Sequence, residues 1–335
     1  MINYTLRRTI SVIFVLIGVL TITFFITRII PADPVAAALG PKASPESIEK
    51  LRKNWNLDRP LFTQFALYLK NIMHGDFGDS IVTREPVSKA ILRFWPATIE
   101  LATLSFLISI ILGVPLGIIA AVKQNSWIDH LSRSYALLGT SMPAFWLAIM
   151  MLLLFYYTLG WFPGAGQLPL YIPRPKWITG MITLDTLITG NFKLFLMSLR
   201  HLVLPAFCLG WLFTATTTRI TRTSLLDTLS KEYVNTARMK GVREFWVVVK
   251  HAFRNAMLPT VTLLGLNYAG LLQGSVLTET VFAWPGLGRY AARSFLAVDF
   301  PAVIGATILM ALQYSIMNLI VDLLYAYLNP EIKYD

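Results

Sequence analysis

Charge is scarce in this chain. Only 14% of its 335 residues are Asp, Glu, Lys or Arg, where soluble domains carry about 25%. Against that, 55% are hydrophobic and the mean hydropathy is +0.59. An ordinary soluble globule is excluded, and an integral membrane protein is expected. Cysteine is scarcer still: Cys208 stands alone in an apolar run, so no intrachain disulfide can form and the thiol reads as core filler. The four histidines, His74, His130, His201 and His251, are scattered without ligand spacing, and no metal site is expected from them. No GxxxxGK[ST] phosphate loop occurs, so the chain has no Walker-type ATP site. Nor does any serine, cysteine or carboxylate stand in a recognisable catalytic pattern, and no channel filter or ring of charge is visible.

Acidic residues are outnumbered, 18 against 29 Lys and Arg, for a formal net charge of +11. In a chain this apolar the excess reads as positive-inside bias, not as a nucleic-acid surface, because no soluble domain is present to carry a basic face. A spanning helix needs about 20 apolar residues. Six stretches qualify: roughly 9–30, 97–122, 134–157, 199–222, 259–281 and 301–327. The first follows Arg7 and Arg8 as a secretory signal would, but it is too long for a signal core of ~7–15 residues and is read as a retained helix. Lys and Arg concentrate in the loops that share a side with the two ends, from Arg7 and Arg8 through Lys123, Arg133, Arg219, Arg222, Arg238, Lys240 and Arg254 to Lys333. Both termini are therefore expected in the cytoplasm.

The organisation expected is an all-α polytopic protein. Residues 1–30 form the first span, 31–95 an extracytoplasmic segment, and 96–335 a transmembrane core interrupted by a loop at 223–258. Within 31–95, Ser44 should cap a helix with Pro45 in its first turn. "LFTQFALYLKNIM" should form an amphipathic helix with Phe62, Phe65, Leu69 and Ile72 on one face, and "HGDFGDS" a turn. The segment suits either a cap on the helix ends or an outer docking surface. Between 158 and 198, "WITGMITLDTLITG" is too short to span and reads as a re-entrant or interfacial helix. In the second span "GVPLG" reads as small-residue packing. Thr214, Thr217, Asn267, Gln273 and Gln313 are candidate polar lining for a pathway, or interhelical hydrogen bonds. An ion-coupled carrier would want acidic groups at the membrane midplane. Glu100, Glu279 and Asp322 lie near span ends instead, where they suit helix-end pairing or gate contacts.

The loop at 223–258 is the least expected feature. Leu225, Leu229, Tyr233 and Ala237 step by four and would share one helix face. Gly241 fits a helix C-terminus that needs positive φ. "REFWVVVKHAFRNAM" reads as a second helix, after which Pro259 opens the fifth span. Such an element could present a knob to a cytoplasmic partner, or lie on anionic lipid.

"EYVNTARMKG" followed downstream by Leu258-Pro259 resembles the cytoplasmic EAA loop of ABC importer permeases. The longer interval to Leu-Pro is one associated with their peptide-type branch. "PADPVAAALG", "PATIELATLSFLISIILGVPLGIIAAVK", "SMPAFWLAIMMLLLF", "TETVFAWPGLGRYAARSFLAVDFPAVIG" and "NLIVDLLYAYLNP" extend the resemblance to the dipeptide/oligopeptide/nickel permease family over nearly the whole chain. One departure is Glu331, where the family often has arginine. The resemblance implies a type I ABC importer permease fold in a bacterial-type inner membrane, and a coupling surface of Glu232, Tyr233, Thr236, Ala237, Arg238, Lys240 and Gly241. It also implies the partners: a second permease, commonly a different chain, two cytoplasmic ATPases that hold ATP and Mg2+, and an external solute-binding protein. No cofactor is implied in this chain. Peptides are the implied cargo, with nickel, metal chelates or glutathione as alternatives, and an ion-coupled carrier without an ATPase as the rival class.

Overall fold

The structure, a computed structural model, describes residues 2–29, 33–40 and 43–328. Glu331 and Lys333 lie outside the described residues. The fold is all-α. Its elements are α1 (Ile2–Ile29), three short helices α2 (Pro34–Leu39), α3 (Pro45–Asn54) and α4 (Leu61–Met73), then α5 (Val87–Val122) and α6 (Trp127–Ser141). They continue with α7 (Ala144–Met151), which runs on as a π-helical turn Leu152–Thr158, then α8 (Ile182–Ile188), α9 (Phe192–Leu229) and α10 (Glu232–Met239). Next come α11 (Glu244–Trp246), a π-helical segment Val247–Ala252, α12 (Phe253–Leu272), α13 (Val276–Val281), α14 (Leu287–Leu296) and α15 (Phe300–Leu328). Among the described residues the sole β feature is an isolated bridge, Asp79 to Pro86.

α5 and α9 form the spine, packed together along most of their length. Small residues make this possible. A Cβ on Gly113 would sit 2.9 Å from the Thr217 side chain, one on Gly117 2.6 Å from Thr221, and one on Gly210 2.9 Å from the Ser105 carbonyl. Helices in lipid gain nothing from burying apolar surface against each other, so close backbone approach and hydrogen bonds must hold them. Thr218 Oγ1 duly donates to the Gly113 carbonyl at 3.2 Å across this seam. α6 lies along α9, α12 against α9 and α15, and α1 against α15. Cys208 is buried, its Sγ directed to the Ala144 carbonyl at 3.8 Å.

Among the described residues, four single helices are long and apolar enough to cross a membrane: Arg7–Ile29, Val87–Val122, Phe192–Leu229 and Phe300–Leu324. They match the first, second, fourth and sixth expected spans. The third, 134–157, is not one straight helix: α6 and α7 meet at 105°. Met142 is extended (ψ 128) because the residue before Pro143 is sterically pushed out of the helical region. The fifth, 259–281, is corrected as well. α12 begins earlier, at Phe253, carries Pro259 inside it and stops at Leu272. Beyond Gly274 (φ 80) the chain turns into the separate short helix α13. With Arg254, Asn255 and Asn267 in its length, α12 is not among the helices apolar enough to qualify.

In the segment after α1 the two expected helices form. Ser44 Oγ accepts from Ser47 N at 3.2 Å, with Pro45 at the helix start. α4 covers the whole of "LFTQFALYLKNIM". The expected face through Phe62, Phe65, Leu69 and Ile72 is corrected: Phe65 lies 5.3 Å from the Phe24 ring, but Phe62 is largely exposed and the buried residue of α4 is Gln64. Between 177 and 190, by contrast, only Ile182–Ile188 is helical. The preceding turn is organised by Asp185, whose carboxylate accepts from Ile178 N, Thr179 N, Thr179 Oγ1 and Gly180 N. Burial works against charge on Asp185, yet these four donors hold its carboxyl below the usual range.

Candidate functional site

α10 follows α9 after a two-residue break at Ser230 and Lys231. Glu232 in its first turn and Arg238 in its last suit the helix dipole. The break re-phases the helix. Leu225 is fully buried on α9, but Tyr233 on α10 is 42% exposed, and the buried residues of α10 are Val234 and Ala237. The continuous face through Leu225, Leu229, Tyr233 and Ala237 is therefore corrected: α10 is seated by Val234 and Ala237, three apart. They join Ala121 of α5, Leu225 of α9, Val247, Val248 and Ala252 of the π segment and Ala256 of α12 in one apolar cluster. Tyr233 Oη accepts from Asn255 Nδ2 at 2.8 Å, a second tie to α12.

Two residues past the end of α10 stands Gly241, whose φ of 77° is the left-handed conformation expected of it. No neighbour crowds the position, so backbone conformation and not space selects glycine. An ion pair crosses the turn. Arg238 Nε donates to Glu244 Oε2 at 3.1 Å and its Nη2 to Oε1 at 2.7 Å. The guanidinium holds the Glu244 carboxyl below its ordinary range, and Glu244 in turn pushes Arg238 up. Both groups are well exposed, so the pair contributes at most about 1 kcal/mol; its value is geometric, bracing α10 against α11. The second expected helix is also corrected. α11 passes through the π segment into α12 without interruption, so the knob is the cap of a long helical run, not a pair of free surface helices.

Six of the seven residues assigned to the coupling surface, Glu232, Tyr233, Thr236, Arg238, Lys240 and Gly241, are exposed; Ala237 faces inward. Beside them stand three exposed apolar side chains: Met239 at 81%, Phe245 at 66% and Trp246 at 51%; of these the sequence pattern marks only Phe245, as part of an apolar face with Val248 and Val249. The Phe245 and Trp246 rings meet edge to face at 5.3 Å. The available signal was composition, since adjacent bulky aromatics at the end of a basic loop have no helix face to bury them.

The five candidate lining residues do not gather on one surface. Thr214 and Thr217 are fully buried, Thr214 Oγ1 donating back to the Gly210 carbonyl at 2.7 Å. Asn267 Nδ2 reaches Thr217 Oγ1 at 3.5 Å. The Gln313 amide donates to the Leu272 carbonyl at 2.9 Å and accepts from Trp95 Nε1 at 2.6 Å. Gln273 is exposed. All three carboxylates are partnered, but Glu100 lies inside α5, well past its start at Val87, and Asp322 inside α15; only Glu279, on the short α13, stands close to a helix end. Glu100 accepts from Thr183 N at 2.6 Å and Gln167 Nε2 at 3.0 Å. Glu279 accepts from Arg289 N at 2.8 Å and Thr98 Oγ1 at 3.0 Å, and Asp322 pairs with Arg8 at 3.2 Å. Among the described residues no cluster of His, Cys, Asp or Glu could hold a metal ion.

Comparison with known proteins agrees with this architecture. Residues 113–334 match the model of the binding-protein-dependent transport system inner membrane component family, and residues 1–102 match that of its N-terminal region. The chain is 42% identical to the probable D,D-dipeptide transport system permease protein DdpB of Escherichia coli K12, over 97% of this chain and 96% of that one. It is 41% identical to the dipeptide transport system permease protein DppB of Alkalihalophilus pseudofirmus over the full length of both. The glutathione transport system permease protein GsiC of E. coli K12 is 39% identical, again over the full length of both. Among solved structures, the MetNI methionine ABC transporter in an inward-facing conformation matches with a TM-score of 0.52 at 15% identity, covering 71% of this chain and 96% of that one, which is a likeness of fold. Apolar helices packed through small residues, a basic knob on their end and matches along the whole length lead to one statement: the chain belongs to the binding-protein-dependent transport system inner membrane component family, as a multi-pass permease subunit of an ABC importer and not an enzyme.

Proposed function

We propose that this permease translocates short peptides handed to it by an external solute-binding protein, and that the α10 knob couples it to a cytoplasmic ATPase. The observation that carries the coupling reading is the division of α10 into two faces. Val234 and Ala237 are locked into the chain's own core, while Tyr233, Thr236, Arg238 and Met239 point away beside Phe245 and Trp246. An exposed aromatic and methionine patch rimmed by charge fits a protein groove. The end bearing α10 is then cytoplasmic, both termini lie on that side, and the 31–95 segment lies outside, as cap and docking surface together.

ATP and Mg2+ belong to two separate ATPase subunits, and a second permease completes the pathway. Closure of the ATPases draws the knobs together. The helices seated on them rock, and an inward-open pathway becomes outward-open. The energy available equals the difference in contacts between the two states. Of the five polar candidates, exposed Gln273 suits a lining role, and the buried four suit helix-to-helix bonding. Peptide cargo is favoured by the names of the relatives; glutathione, itself a small peptide, is the second reading, because GsiC is nearly as similar.

The test is affinity purification of the complex from native membranes, followed by ATP hydrolysis and labelled-dipeptide uptake in vesicles. A second permease and ATPase subunits are expected to copurify. Arg238→Glu or Gly241→Pro should leave insertion intact and sever hydrolysis from uptake. Normal ATP-driven uptake by both variants would remove α10 from the coupling role. Uptake that follows membrane potential with no ATPase present would move the protein to the ion-coupled class.

A further inference from the structure

Asp129, in the first turn of α6, has no exposed surface although it carries a carboxylate. Arg222 of α9 grips it with both arms of a fork: Nε donates to Oδ1 at 2.6 Å and Nη2 to Oδ2 at 2.8 Å. Asn125 N donates to Oδ2 at 3.0 Å, and Arg133 Nη2 stands 3.6 Å from the same oxygen. Asn125 occupies the left-handed region (φ 61), so the same carboxylate also fixes the tight turn that joins α5 to α6.

Apolar burial gives helices in lipid no net attraction, so a hydrogen-bonded ion pair is one of the contacts that can hold α6 to α9. What a bidentate fork adds is a fixed distance and angle. Its position matters here. Arg222 lies seven residues before Leu229, the last residue of α9, or about 10 Å along the axis, and α10 hangs directly from that end. On the other side of the fork, α6 leads into the 105° bend and α7. Further along the same seam, the Tyr135 and Trp211 rings lie 4.3 Å apart, and a Cβ on Gly139 would meet the Ala215 Cβ at 2.6 Å. α6 thus has no slack against α9 from the fork to the bend.

We propose that the Asp129–Arg222 fork is the strut that carries movement of the α10 knob into the bent third span, so that α6, α9 and α10 travel as one body. Both are positioning residues: they touch neither the solute nor the ATPase. The inference rests on the coupling role proposed for α10. Apolar contacts alone would let α6 slide or rotate on α9 under load, and the knob's displacement would be spent at that interface.

The test uses the complete complex in membrane vesicles, reading ATP hydrolysis and uptake together. Asp129→Asn keeps the shape and loses the charge. It should assemble with the ATPase and keep hydrolysing while uptake per ATP falls about tenfold, within the roughly 5–150-fold range of energetic coupling between sites. Asp129→Glu, which keeps the charge and both acceptor oxygens at the cost of a longer side chain, should retain much of that ratio, which a role in bulk packing does not predict. Should Asp129→Asn fail to assemble, Arg222→Lys keeps the charge and loses the fork, and its ratio should still fall. A normal ratio in the variant that assembles, or hydrolysis and uptake falling in the same proportion, overturns the strut. Arg238→Glu in parallel separates the two ideas: if it uncouples while Asp129→Asn does not, the strut alone fails; if neither uncouples, the coupling role of α10 fails and takes the strut with it.

Discussion

Single residues decide whether the knob exists. Val234 is fully buried in the cluster that seats α10, and a carboxylate placed there without a partner costs several kcal/mol. Val234→Asp should therefore lower the melting temperature of the purified permease and strip the ATPase from it; unchanged melting with the ATPase retained would show that α10 is not seated as described. Gly241 was legible in the sequence and Val234 was not, for a definite reason. A glycine after a basic helix end answers a local need for positive φ, which no distant contact alters. Val234 depends on the phase of its helix, and that phase is reset at Ser230 and Lys231, where the chain carries no proline or glycine to mark the break. The Glu100 and Glu279 positions were legible only in part: α5 begins well before the apolar run and takes Glu100 into its length, and Glu279 stands on the separate helix α13 beyond the end of α12.

At the scale of elements, the α5–α9 spine is set by what is missing from its side chains. Gly117 faces Thr221 with no room for a Cβ. Forcing a branched side chain into such a seam costs typically 1–3 kcal/mol, roughly, from overpacking. Gly117→Leu should lower thermal stability in detergent, while Gly18→Leu on α1, which has nothing within 4 Å, should not. Equal melting of the two would mean that the spine does not depend on close approach. The glycines of "GVPLG" announced this packing, and Ser44-Pro45 announced the start of α3. The bend in the third span stayed hidden because an apolar average runs straight across it; the one residue that speaks of it is Pro143, acting on Met142. The fifth span was over-extended for the same reason, since apolar residues on either side of Gly274 add up to a helix that the backbone does not make.

For the whole molecule, orientation is the property from which the rest follows. If the α10 end is cytoplasmic, the 31–95 segment faces outward, and a cysteine introduced at Ser44, which lies on an exposed stretch, should react with an impermeant maleimide from outside only. Reaction from the cytoplasmic side alone would invert the topology and place α10 out of reach of any ATPase. Native Cys208 is buried and should not confuse the readout. The two-sided character of α10 has one more consequence, for how such a complex changes over generations. If α10 couples as proposed, one side of two helical turns answers to this chain's own interior and the other to a different polypeptide. Substitutions at Val234 and Ala237 are constrained by Leu225, Val247 and Ala256 within the same gene. Those at Thr236, Met239, Phe245 and Trp246 are free of that constraint and, on the proposed coupling role, tied instead to whatever lines the groove opposite. A permease moved into a foreign complex should thus fold and insert normally yet fail to drive transport, until the outward side of α10 is rewritten to match its new motor.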